Sequence, residues 1–360
     1  MTRAAPIFAA LFLAFFAGAQ PSAWGSELLE AYRSTRHMAM GGTSIAFPED
    51  EASLFMNPAG LAGNTQTRFH PVLLDLSLSQ DAIKSYGPVM DAMNNPSGNS
   101  LNVLMGKDIA VRASLAPTLI SNNFGFAVIE DRQFALLAEN QALPQLEYGY
   151  MTTRGLQTGL GFRLGRKKSK RAEFRMGLAG KLLWRQGSYS MLPTSQLLNI
   201  SQQTFEDRLG NFAMGYGFDL GTQVLMPVGK AVTLSTAWVI QDIGDTSFGS
   251  LAQPMKMNLS WGAGAQVRMG SASRLTLMYE LRQLNRETDW RNRSHLGFEY
   301  VLPVLTIYGG LNQARLSYGA AIDVWLARIT AAYYTVQTGA QTFVDQQTRW
   351  AIRADVKLPL

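Results

Sequence analysis

The sequence predicts an all-β protein. The expected form is a transmembrane antiparallel β-barrel of about 14 strands, within about 12–16, with a short helical N-terminal plug segment. Three observations predict it. An export leader opens the chain, and no apolar run long enough for a membrane helix follows it. The rest of the chain repeats with a period of two over long segments. The connections between those segments alternate between long and short.

The leader comes first. Arg3 supplies a positive start, and Ile7 to Phe16 form an apolar core of 10 residues. Ala17-Gly18-Ala19 and Ala23-Trp24-Gly25 both offer small-x-small cleavage sites. This is the pattern of a secretory signal peptide, and it is short of the roughly 20 apolar residues a spanning anchor needs. The expected organisation is a signal peptide at 1–25, a plug or hatch at 26–66, and an outer-membrane barrel at 67–360.

The period-two segments carry the barrel reading. Trp350, Ile352, Ala354, Val356 and Leu358 fall on one face, and Arg349, Arg353, Asp355 and Lys357 on the other. In 174–185, Phe174, Met176, Leu178, Leu182 and Trp184 oppose Arg175, Gly177, Ala179, Lys181 and Arg185. In 155–165, Leu156, Leu160, Phe162 and Leu164 oppose Gly159, Gly161 and Arg163. In 212–224, Phe212, Met214, Tyr216 and Phe218 oppose Gly215, Gly217, Asp219 and Gln223. In 255–268, Met257, Leu259 and Trp261 oppose Lys256, Ser260, Gly262 and Arg268.

A soluble sandwich also alternates, but its strands run to about 5–6 residues. Segments of ten or more, with Trp and Tyr on the apolar phase, fit a lipid-facing wall with aromatic girdles. The lumen-lining candidates are therefore Arg163, Arg175, Lys181, Asp219, Lys256, Arg268, Arg353 and Asp355. Glycine shares their face, which leaves room inside the barrel.

The connections agree. Backwards from the C-terminus they read long at 338–347, short near Ala327, a tight external turn at Gln313-Ala314, short at Leu302-Pro303, longer at 284–293, short at 269–273, longer at 243–253, short at 227–230, and long at 188–210. Both chain ends then lie in the periplasm. Two short segments at 122–129 and 133–140 form an uncertain hairpin.

Composition removes other classes. Lys plus Arg number 32 against 26 acids, a surplus of +6 with one basic cluster, Lys167 to Arg171. Without a basic face or interleaved aromatics, no nucleic-acid partner is expected. There is no cysteine, so thiolate sites and cysteine nucleophiles are excluded. His37, His70 and His295 form no metal-ligand spacing, and no nucleophile elbow or phosphate loop is present. His295 falls on a lumen phase two positions from Glu299, which reads as a solvated pair. No catalytic residue, metal or cofactor is expected, and the chain is not read as an enzyme.

Residues 26–66 lack the strand period. They hold Gly41-Gly42, Asp50, Ala52-Ser53-Leu54-Phe55 and Asn57-Pro58-Ala59-Gly60-Leu61. Glycines permit positive φ, Asp50 to Phe55 can form a short helix, and Asn57-Pro58 favours a turn that ends it. Phe47, Leu54, Phe55 and Leu61 can pack on an inner wall. This string resembles the N-terminal signature of FadL-type and PorV-like outer-membrane barrels.

The resemblance implies that the segment folds inside the lumen as a hatch, with Gly41, Gly42, Asn57, Pro58, Ala59 and Gly60 as a structural or gating motif. Turn formation alone also explains Asn57-Pro58-Ala59.

The FadL resemblance implies passive uptake of hydrophobic or amphipathic small molecules. The partners would then be outer-membrane lipid and a hydrophobic ligand. The PorV-like alternative is a barrel that docks exported proteins through the loops at 80–109 and 188–210. Ile83, Tyr86, Val89, Met90 and Met93 give 82–93 an apolar helical side, suited equally to ligand capture or to capping the mouth.

Overall fold

The computed structural model describes residues 30–87, 105–139, 145–164, 172–192, 211–270, 272–337 and 346–360. The expected leader, Lys167 to Arg171 and most of the 188–210 loop lie outside them.

Fourteen antiparallel wall positions follow in chain order. They are β1 (Arg68–Ser79), β2 in two pieces (Asp108–Leu115 and Thr118–Ser121), β3 (Phe124–Glu139), β4 (Gln145–Leu164), β5 (Glu173–Leu192), β6 (Ala213–Val228), β7 (Val232–Gln241), β8 (Asn258–Arg268), β9 (Arg274–Leu281), β10 (Ser294–Val301), β11 (Leu305–Asn312), β12 (Arg315–Val324), β13 (Ala327–Gln337) and β14 (Gln346–Pro359). Each strand pairs with its chain neighbour, and β14 returns to β1 from Arg68↔Pro359 to Ser79↔Arg349. Closure leaves the sheet no edge, so every wall peptide can be bonded within the wall.

The alternation decides which side faces what. In β6, Met214, Tyr216 and Phe218 are outward and exposed, while Ala213, Asp219 and Gln223 are buried. The same phase exposes Leu76 in β1, Leu160 in β4, Leu178 in β5, Ile322 in β12 and Ile352 in β14. An apolar belt of this extent around the wall is a lipid contact, not a water-facing surface. Trp238 stands 6.4 Å from Trp261, and Tyr333 5.0 Å from Trp350, on that outer face.

Two prolines interrupt the wall at one place. β2 breaks at Ala116-Pro117, and β1 shifts register between Phe69 and Val72, around Pro71. Proline has no N–H for the ladder. The neighbours compensate: Ala116 N–H donates to Leu73 O at 2.9 Å, and Val128 N–H to Pro117 O at 3.0 Å.

Both chain ends of the barrel lie at one rim, where Leu360 N–H reaches Thr67 O at 3.1 Å. We call this the termini end and the opposite rim the loop end. The described turns at the termini end are short, with Asn123, Gly229 and Gly270 at φ 61°, 70° and 94°. At the loop end Gln313 and Ala314 take φ 53° and 62°, a two-residue turn matched to the strand twist. A short helix, α3 (Gln80–Lys84), follows β1 there.

One expectation is corrected. From Phe124 to Glu139 the two expected segments, 122–129 and 133–140, are one strand, β3. Glu130 and Arg132 face outward and Asp131 inward, so the alternation runs straight through the charges.

The lipid belt predicts a depth dependence. Leu178→Arg should cost about 2–4 kcal/mol of unfolding free energy in vesicles, and Val324→Arg near the rim about 0–1. Denaturant unfolding of the refolded barrel measures both.

Candidate functional site: the occupied lumen

Residues 30–64 run inside the barrel, and nearly all are buried. They form α1 (Thr35–Ala39), α2 (Ala52–Phe55) and a 3-10 turn (Pro58–Gly63). The expected helix over Asp50 to Phe55 is shorter, because Asp50 takes φ 49° and stands outside it.

Glycines end α1. Gly41 and Gly42 adopt φ 67° and 84°, and Gly42 N–H bonds His37 O at 2.9 Å. This left-handed exit is the usual helix stop. It also carries the backbone against β10 and β11, where a side chain on Gly41 would overlap Leu296 and Leu311. The wall answers with its own glycines: a Cβ at Gly297 or Gly310 would strike the backbone of Met40 or Gly41. Asn57 ends α2 and caps the next turn. Its carboxamide accepts from Ala59 N–H at 3.0 Å and donates to Ile45 O at 2.8 Å. Pro58 opens that turn, where no N–H is needed. Pro58 and Ala59 lie flat on Gly177 and Gly221, and Gly60 faces Pro48. The glycines on the lumen phase are therefore the bed of this segment.

Irregular backbone buried in a lumen needs hydrogen-bond partners. Wall side chains supply them. Glu280 accepts from Ser44 and Ile45 N–H, both at 2.5 Å, and Asp75 accepts from Thr35 N–H at 2.7 Å. Gln223 and Ser235 donate to Ala46 O, Gln157 to Leu54 O, Gln241 to Phe55 O and Arg163 to Ala62 O.

Charge locks the segment to three parts of the wall. Asp50 binds Arg68 of β1 and Lys357 of β14, each at 2.5 Å. Glu51 binds Arg353 of β14 at 2.6 Å, and both are buried. Arg36 binds Glu299 of β10 at 2.8 Å, and Arg274 of β9 reaches Glu49 at 2.7 Å. Burial pushes the Asp50 carboxyl up, but Lys357, His70 and Arg68 outweigh it and hold it well below the usual range. For Glu51, burial is likewise outweighed by Arg353, and its pKa is lowered.

The other expected lumen residues divide. Arg175 binds Glu173 at 2.6 Å and lies over Gly63. Lys181 sits between Asp219 and Asp242, 2.8 Å from each. Asp355 bonds His70 Nδ1 at 2.7 Å. Arg268 is at the termini rim and exposed. Lys256 lies before β8, which begins at Asn258 and not at 255; it is exposed, pairs with Asp245 at 2.9 Å and lines the loop-end chamber. His295 and Glu299 do not act as a solvated pair. Both are buried, His295 against Gly41 O at 2.9 Å and Glu299 against Arg36. Glu51, Asp75, Glu280 and Arg36 were not singled out from the sequence. A lumen-phase acid in mid-strand, as at Asp75 and Glu280, was the available signal.

Spaces flank the segment on both sides. Toward the loop end a chamber of about 40 Å³ is lined by Glu30, Tyr32, Lys181, Asp242 and Arg286. At the termini end a vestibule of about 500 Å³ is lined by Phe47, Glu49, Asp50, Arg175, Arg268 and Arg274. Among the described residues no group of three or more His, Asp or Glu can hold a metal ion.

No family model and no curated protein matches the chain. Solved structures do. The CymD monoaromatic hydrocarbon channel superposes with a TM-score of 0.51 at 9% identity, over 91% of this chain and 97% of that one. The likeness is one of fold. The P. putida toluene transporter TodX gives 0.46 at 15% identity, over 91% and 98%. The Ralstonia pickettii toluene transporter TbuX gives 0.47 at 11%, over 92% and 99%.

Three outcomes test the site. Glu51→Ala strands the buried Arg353 charge and should cost about 3–5 kcal/mol, while Glu51→Leu with Arg353→Met should recover most of it. Chemical denaturation in detergent reads both. Gly177→Val should expel the 3-10 turn and expose residues 58–63 to protease in the folded barrel. The lowered Asp50 and Glu51 pKa values stabilise docking fully above the ordinary carboxylate range. Docking should hold above about pH 5 and weaken as the pH falls through the lowered values. Proteolysis across a pH series shows where it is lost.

Proposed function

We propose that the chain is an outer-membrane barrel for passive uptake of hydrophobic or amphipathic small molecules, with residues 30–64 as its plug. The termini end faces the periplasm and the loop end the exterior. The observation that carries this reading is a membrane-spanning wall shut by its own N-terminal segment, with a vestibule of about 500 Å³ on the exit side. A static open pore would need no such segment. The hydrocarbon channel CymD shares the fold, which supports a hydrophobic cargo.

The mechanism follows from the geometry. Ile83 in α3 and Tyr86 just after it, both exposed, offer an apolar landing at the loop end. The chamber above the plug is small and polar, so a greasy molecule cannot pass while the plug is seated. Displacement of the plug joins the mouth to the vestibule. The ion pairs of Asp50 and Glu51 set the cost of that displacement. Docking of exported proteins, the alternative from the sequence, would use loops largely outside the described residues and gains no support from the site.

The test loosens the plug at its charged seam. Asp50→Asn removes the carboxylate that holds the plug to Arg68 and Lys357 and keeps the side-chain shape. In liposomes, wild type should pass toluene or a fatty acid, and the folded variant should pass it faster. Passage through the variant at the wild-type rate would remove plug movement from the mechanism. No passage by wild type would remove uptake.

A further inference from the structure

The outer wall carries one anomaly. Among the described strand residues, charged side chains point into the lumen, with three exceptions: Glu130, Arg132 and Arg154. These three sit together. Glu130 Oε1 accepts from Arg132 Nε at 2.9 Å, and Oε2 accepts from Arg154 Nε at 2.7 Å. Arg132 and Arg154 are 57% and 47% exposed, so the cluster opens outward. Arg154 also lies 5.1 Å over the ring of Phe212.

Their height on the wall explains how charge is tolerated there. Arg154 stands ten residues above Leu164, the termini end of β4, and Leu156, Leu160 and Phe162 fill the outward positions between them. That span is about the 9–11 residues a strand needs to cross the hydrocarbon. Arg154 pairs in register with Trp184, and Tyr150 and Thr152 follow on the same face, joined at 2.7 Å. The cluster therefore lies at the loop-end boundary, where a charge facing lipid costs little. This is the depth of the headgroups.

We propose that Arg132 and Arg154 form a binding site for the phosphate of an acylated sugar lipid in the outer leaflet. The single carboxylate cannot neutralise two guanidinium groups, and the cluster keeps a net charge of +1. Glu130 spends one oxygen on each arginine: Oε1 takes Nε and Nη2 of Arg132, and Oε2 takes Nε of Arg154, so Arg132 Nη1 and the terminal nitrogens of Arg154 lie off the carboxylate. A phosphate oxyanion offers the matching acceptors, and arginine is the side chain suited to bidentate phosphate contact. Phe212 braces one guanidinium, and the apolar belt below receives the acyl chains. This site is separate from the lumen and does not depend on what the barrel transports.

The test is a titration of the full barrel in detergent with a diphosphorylated acyl-disaccharide lipid and its dephosphorylated form, followed by native mass spectrometry. Arg132→Gln with Arg154→Gln should weaken binding of the phosphorylated lipid at least tenfold and leave the dephosphorylated lipid unchanged. Both residues are exposed, and unboiled gel migration checks that the variant is folded. Equal binding by variant and wild type overturns the proposal. So does an equal fall for both lipids, or displacement of the phosphorylated lipid by millimolar inorganic phosphate.

Discussion

A length of chain with little regular secondary structure lies inside a closed wall, and its hidden peptide groups need partners. That requirement organises the lumen. A strand or helix bonds its own backbone, but residues 43–57 largely cannot, and water has little room beside them. The wall supplies Glu280, Asp75, Gln157, Gln223, Ser235 and Gln241 at the places where an N–H or a carbonyl would otherwise be stranded. The partners come from strands far apart in sequence, so the inner segment is specific to this one wall.

Space and polarity are two sides of this fit. Where backbone meets wall directly, the wall position is glycine, as at Gly177, Gly221 and Gly297. Where a gap remains, it is spanned by a polar side chain. Ion pairs then set how firmly the segment is seated. Because a buried pair contributes less than the damage done by removing one partner, Glu51 and Arg353 specify position more than they add stability. A segment held in this way can be firmly placed and still be displaced.

Much of the wall was legible in the sequence because side-chain period, strand length and connection length are local properties. The apolar phase at Met214, Tyr216 and Phe218 names the lipid face from ten residues alone. The glycines at 41 and 42 were legible as turn formers, but not as the surface that meets Gly310. Long-range partners were not legible: Arg36 and Glu299 are 263 residues apart, and nothing local at either says they meet. Lys256 shows the opposite failure. Its alternating neighbours read as strand, yet the loop before β8 holds them, with Asp245 bonding Met257 N–H at 2.7 Å. Three charges in a row at 130–132 look like a break, and only the pairing of β3 with β4 shows an unbroken strand.

The placement of Asp50 bears on the order of events during assembly. Its two partners belong to the first strand and the last, and Lys357 lies 307 residues further along the chain. The earliest-made part of the barrel domain therefore waits for the final strand before its charge is matched. Until the seam closes, Asp50 lacks Lys357 and Glu51 lacks Arg353. Sealing the wall therefore also completes the charge lock on what the wall encloses.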